Sequence, residues 1–159
     1  MYLETTIVSY LTGRRTRDLV TAAHQEITNE WWEGRERFEL FVSEAVLQEA
    51  RGGDPTAADA RRSALEGIAV LEVTSSATEL ARQLLDAAAV PPKAVVDAVH
   101  IAVAAVHGMD YLLTWNCTHI ANAATRGRIE RACRAAGFAP PVICTPEELG
   151  EDVPWRETR

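Results

Sequence analysis

The chain has 159 residues, enough for one domain with a real core, and its 47% hydrophobic and 25% charged content is ordinary for a soluble globular protein. The formal net charge of -7 argues against a protein that grips nucleic acid through bulk positive charge. It leaves nucleic acid open as a substrate, because carboxylates that hold a divalent cation can bring phosphate to an acidic protein. No apolar run reaches the roughly 18 residues needed to span a membrane. The start, from Met1 to Glu4, has neither a basic region nor a secretory apolar core. Cys117, Cys133 and Cys144 are odd in number and widely spaced, which predicts neither a disulfide framework nor a zinc site and fits a reducing cytoplasm.

In chain order, Met1 to Leu3 read as a very short strand with Glu4 at its carboxyl end. Thr5 or Thr6 can cap the helix that follows, whose apolar face is Ile7, Tyr10 and Leu11. Thr12 to Arg17 is a basic turn, and a helix is expected from about Arg17 to Glu33, with Leu19, Val20, Ala23, Ile27 and Trp31 at helical spacing. Phe38 to Val42 is the second strand, after which Ser43 caps a helix and Glu44 favours its first turn. Gly52-Gly53-Asp54-Pro55 breaks the chain, and a helix from Thr56 to Glu66 ends at Gly67. Ile68 to Val73 is the third strand, and Ser76 with Glu79 forms a capping-box pattern for the helix through Leu80, Leu84 and Leu85.

Beyond Pro91-Pro92 comes the stretch that organises the chain, Val95 to Asn122. It opens on a helix that is apolar nearly all round and therefore belongs in an interior, ended by Gly108. Tyr111 to Thr114 is long enough for a buried strand. Ile129, Ala132, Cys133 and Ala136 then mark a helix up to Gly137, Val142 to Cys144 a fifth strand, and Thr145, Pro146 and Glu148 a second capping box. The alternation predicts an α/β protein with a central parallel sheet of about five strands covered on both faces. Residues 1–150 read as one domain and 151–159 as a charged tail. Neither GxGxxG nor a P-loop occurs, which disfavours a nucleotide-cofactor enzyme.

Three acids fall at comparable places: Glu4 after the first strand, Glu49 on the helix after the second, and Asp97 near the start of the apolar helix. Asp97 stands out because an unpaired buried carboxylate costs several kcal/mol, so it belongs at a cleft, a cap or a metal. Asn116 follows the fourth strand. In a doubly wound sheet the carboxyl ends of adjacent strands meet at one edge, where these oxygens can converge. Such a donor set suits Mg²⁺ or Mn²⁺ rather than zinc or copper.

The segments MYLETTIVSYL, FVSEAVLQEARGG, VVDAVHIAVA and YLLTWNCTHIAN resemble the motifs of PIN-domain proteins, most of all the VapC-type toxins of type II toxin-antitoxin pairs. The resemblance runs from Met1 to about Leu149. It implies a PIN-like three-layer α/β/α fold and a metal-dependent endoribonuclease. It assigns catalysis to Glu4, Glu49, Asp97 and Asn116, with Glu4, Glu49 and Asp97 holding Mg²⁺ or Mn²⁺. It also implies an RNA substrate, a cognate antitoxin that blocks the site, a homodimer and no membrane. Two positions depart from the family: Glu4 stands where an aspartate is usual, and Thr6 where an asparagine is frequent. A catalytically weak or inactive PIN domain, serving as an RNA-binding or protein-interaction module, is the alternative these departures keep open.

Simpler roles compete at each position. Glu4 and Asp97 can act as helix-start charges, Glu49 as a solvated carboxylate and Asn116 as a turn residue. His100 and His119 read as hydrogen-bonded core histidines, since no serine or cysteine partner is indicated. Thr5 and Thr114 are expected to contact substrate beside the acids. Arg14 and Arg15 form either a solvated turn or a phosphate-binding rim. One of Trp31 and Trp32 is expected in the core. With Asp97 as a metal ligand, its repulsion with Glu4 and Glu49 is expected to destabilise the metal-free fold.

Overall fold

The computed structural model describes residues 1–149. The first strand, β1 (Tyr2–Leu3), lies at the centre of a sheet and is fully buried. It is flanked by β2 (Phe41–Ser43) and β4 (Tyr111–Leu113), with β3 (Ala69–Leu71) and β5 (Val142–Cys144) at the edges. The order is β3-β2-β1-β4-β5 and every pairing is parallel. The chain builds outward from β1 to β2 and β3, crosses back, and adds β4 and β5 on the other side. The reversal puts the switch point between β1 and β4, and the carboxyl ends of the strands at such a point are where open α/β sheets receive ligands. In register, Leu3 stands beside Leu113. Glu4 and the Thr114–Asn116 segment therefore leave the sheet side by side, as expected.

The helices pack in two groups. One contains α1 (Thr5–Leu11), α2 (Leu19–Glu33), α3 (Glu44–Ala50) and α4 (Pro55–Ala64), with α1 touching the other three. The other contains α5 (Ser75–Asp86), which packs on α6 (Val95–Val106) and on α7 (Ala123–Ala135). A three-layer α/β/α architecture results, as the alternation of elements predicts.

Helix α6 is apolar for a physical reason: seven of its residues, Ala98 and His100 to Ala105, are buried, and four of these are alanines. Alanine costs little in helix propensity and lets neighbouring backbones approach closely. Gly108 ends the segment at φ 66°, a left-handed conformation that costs an L side chain about 1–2 kcal/mol.

Several boundaries differ from those predicted. Glu4, rather than Thr5 or Thr6, caps α1, because its carboxylate reaches the Thr6 amide. Asp18 caps α2, whose buried residues are Thr28 and Trp31 in its second half; Leu19 and Val20 are 84% and 65% exposed rather than on a buried face. Strand β2 runs from Phe41 to Ser43 rather than from Phe38 to Val42, and a 3-10 turn at Arg35–Arg37 ends just before Phe38. Phe38 stacks on Trp31 instead of joining the sheet. Thr74 caps α5, not Ser76, and Glu79 is taken up by Arg82. Trp31 is buried and Trp32 is partly exposed under Arg35. Thr145 and Glu148 do form a capping contact, over a 3-10 turn at Pro146–Leu149. The tail expected at 151–159 lies outside the described residues. Among the described residues no helix is long and apolar enough to cross a membrane.

Candidate functional site

Glu4 follows β1 directly and is 4% exposed. A buried carboxylate needs donors, and three converge on one of its oxygens. Oε2 accepts from the Thr6 amide at 3.1 Å, the Thr6 hydroxyl at 2.5 Å and the Thr114 hydroxyl at 2.7 Å. Thr6 also accepts from the Trp115 amide and so ties α1 to the end of β4. Oε1 of Glu4 has no partner among the described residues.

Glu49 sits in the last turn of α3 and shows the same division. Its Oε2 accepts from the Thr5 hydroxyl and from Nε2 of His100 at 2.8 Å, while Oε1 is unpartnered among the described residues. Burial works to raise the Glu49 pKa, but the hydrogen bonds from His100 and Thr5 outweigh it and hold the carboxyl below its ordinary range. One ligand atom each from Glu4, Glu49 and His100 lies within 4.8 Å of the others. Among the described residues this is the group able to hold a metal ion.

Asp97 heads a second, adjoining cluster. Its Oδ1 accepts from Nδ2 of Asn116 at 3.0 Å, and its Oδ2 faces Nδ1 of His119 at 2.7 Å. Asn116 Oδ1 accepts from the His119 amide, which closes the loop after β4 into a small ring. The Asn116 amide donates to Thr114 Oγ1, and Thr114 donates to Glu4, so a continuous path of hydrogen bonds joins Asp97 to Glu4. The four expected catalytic residues thus share one edge of the sheet, with Glu4 and Glu49 in one cluster and Asp97 and Asn116 in the next. Thr5 and Thr114 hold the acids as donors. Arg14 and Arg15 are exposed, and Arg14 lies 3.8 Å from Asp54 on the neighbouring loop.

The histidines take their partners from distant parts of the chain. His100 is fully buried and hydrogen-bonded, as expected, and its partners are Glu49 and Tyr2. His119 follows Asn116 by one turn, and that spacing was the available signal for its contact with Asp97. His24 stacks on Trp115 with ring centres 3.9 Å apart and planes at 16°, while Trp115 Nε1 donates to Thr28. This anchors α2 against the residue that precedes Asn116.

Residues 1–116, most of the chain, match the PIN domain family. The sheet order and the carboxylates gathered at its switch point agree with that match, and the chain belongs to the PIN domain family. PIN domains are a nuclease fold, usually metal-dependent. No curated protein and no solved structure matches the chain.

Proposed function

We propose that this protein is a metal-dependent endoribonuclease acting as the toxin of a type II toxin-antitoxin pair. The observation that carries the nuclease reading is the meeting of Glu4 and Glu49 at the carboxyl ends of the strands, each with one oxygen held by protein donors and the other without a partner among the described residues. Free carboxylate oxygens are hard donors, and they fit Mg²⁺ or Mn²⁺. Glu4, Glu49 and Asp97 would hold the ion, directly or through waters. When bound, it supplies Lewis acidity that activates water and offsets charge on the phosphate.

The protein's own contribution is order. Thr6 and Thr114 fix Glu4, Thr5 and His100 fix Glu49, and Asn116 and His119 fix Asp97. The acids are thereby held before substrate arrives, the condition for effective electrostatic catalysis. Exposed Arg14 and Arg15 supply phosphate contacts that position RNA without reading its sequence. The toxin role, the antitoxin partner, the homodimer and a cytoplasmic location rest on the resemblance of the four motif segments to VapC-type toxins.

The test is cleavage of a defined RNA by the purified chain with Mn²⁺ or Mg²⁺, with EDTA, and with Asp97→Asn. Metal-dependent cleavage lost in the variant supports the enzyme. A short reading frame encoding an inhibitor beside this gene, together with toxicity on overexpression, supports the toxin role; harmless overexpression overturns it. A second reading, a non-catalytic interaction module, is favoured by one feature: both oxygens of Asp97 are already engaged by Asn116 and His119. Calorimetry separates the two, since the module predicts no saturable binding at millimolar Mn²⁺.

A further inference from the structure

His100 is the one titratable side chain of α6 that is completely buried, and both of its nitrogens are in use. Nε2 lies 2.8 Å from Oε2 of Glu49, and Nδ1 lies 2.7 Å from the Tyr2 hydroxyl. That hydroxyl lies 2.7 Å from Ser43 Oγ, which in turn accepts from the Val46 amide at 3.4 Å. The relay thus joins β2, β1, α6 and α3, ending on the carboxylate.

The directions of these bonds follow from chemistry. An ionised carboxylate only accepts, so Nε2 of His100 must donate to Glu49. In a neutral ring Nδ1 is then the acceptor, so the Tyr2 hydroxyl donates to it and Ser43 donates to the Tyr2 oxygen. Every hydrogen in the buried chain finds an acceptor. The opposite arrangement, with a doubly protonated ring, would turn the Tyr2 hydroxyl onto Ser43 and leave the Ser43 hydrogen with none among the described residues. Buried networks favour the arrangement in which every member is satisfied.

We propose that His100 is a positioning residue for Glu49: as a neutral donor held by Tyr2 and Ser43, it pins Oε2 so that Oε1 alone faces the metal site. This rests on the metal-site reading of Glu49 given above. His100 lies close enough to the acids to be taken for a ligand itself. Its Nε2 hydrogen is directed at Glu49, however, and direct ligation would require that bond to break. Partners that orient a metal-binding side chain from behind change metal affinity by about 10–100-fold when removed.

The experiment uses the full chain and Mn²⁺ as probe, with affinity, pulsed EPR and melting temperature in EDTA measured on each variant. His100→Met fills the volume without a donor and is expected to weaken Mn²⁺ binding by about 10–100-fold. His100→Gln restores a donor and is expected to recover most of that affinity, even where its melting temperature falls as far as that of His100→Met. Tyr2→Phe removes a single hydroxyl from the relay and is expected to weaken binding less than His100→Met. It carries the test if His100→Met does not fold, since unchanged affinity in Tyr2→Phe would then overturn the relay. Pulsed EPR of the wild type should show no directly coordinated nitrogen. A directly bound nitrogen makes His100 a ligand and overturns the proposal, as does wild-type affinity in a destabilised His100→Met. Failure of the wild type to bind Mn²⁺ at millimolar metal is a different result, because it overturns the metal-site reading itself and this inference with it.

Discussion

The Thr114 hydroxyl donates to Oε2 of Glu4 across 2.7 Å, joining the carboxyl ends of β4 and β1. The same hydroxyl oxygen accepts from the Asn116 amide at 2.9 Å. One side chain therefore connects the Glu4–Glu49 cluster to the Asp97–Asn116 cluster, and it does so with no exposure to solvent. Two groups of acids on separate elements become one network through a residue that carries no charge.

Thr114→Val keeps the shape of this residue and removes its hydroxyl. The Asn116 amide then loses its acceptor, and Glu4 loses one of three donors. Leaving a buried polar group unsatisfied costs about 1–3 kcal/mol, which urea unfolding in EDTA should register. Thr114→Ser should stay close to wild type, because the hydroxyl remains. Equal stability of the Val and Ser variants would show that the bridge contributes nothing.

Glu49 gives a pH dependence with a definite sign. Its carboxyl titrates below the ordinary range in the folded state, because the donors His100 and Thr5 outweigh the effect of burial. A group with a lowered folded pKa contributes stability that is present above its unfolded pKa and lost as pH falls through the folded value. Wild type in EDTA should therefore be more stable than Glu49→Gln at pH 7, and the gap should close in acid, below the usual carboxylate range. A pH series of urea midpoints checks this. A gap that is zero or reversed at pH 7 would mean that repulsion between Glu4 and Glu49 outweighs the donors.

How much of this was legible in the sequence depends on the kind of signal. The five strands, the apolar helix and the placing of Glu4 beside Asn116 came from hydrophobic pattern and topology, which act along the whole chain. Helix starts were less legible at Ser76, where Thr74 two residues earlier was the better-placed hydroxyl. Leu19 and Val20 fitted the helical period but stand exposed in the first turn of α2, since period alone does not say where a helix leaves the body. The His100 contacts were out of reach. Tyr2, Glu49 and His100 are far apart in sequence, and only the sheet order brings them together. The three acids and Asn116 were readable as a set through family likeness, but their division into two clusters was not.

The three cysteines should separate cleanly by reactivity. Burial pushes the Cys133 thiol up to about 11 and the Cys144 thiol up to about 12, so neither supplies thiolate near neutrality. Cys117 is exposed in the loop after β4. A disulfide exchange reagent at pH 8 should modify one thiol quickly in the native protein and three in urea. Two fast native thiols would mean that the β5 edge or α7 opens more readily than its packing implies.

At Asp97 the geometry argues against a strained metal-free site. Asp97 accepts from Asn116 and faces His119, and it also stands in the first turn of α6, whose N-cap residue Ala94 offers no side-chain oxygen. A carboxylate there favours the helix dipole by about 0.3–1 kcal/mol. Asn at this position keeps the contact to Asn116, and His119 can change tautomer to accept from the new amide. The charge is lost, and with it roughly half the strength of charge-assisted bonds. Asp97→Asn in EDTA should therefore lower the melting temperature slightly instead of keeping or raising it. Under the proposed function it should also abolish RNA cleavage with Mn²⁺ or Mg²⁺. Both quantities are to be measured on one purified preparation. A raised melting temperature would restore the repulsion account of the site. A destabilised variant that cleaves RNA at the wild-type rate would instead confine Asp97 to holding the start of α6 and remove it from the catalytic set.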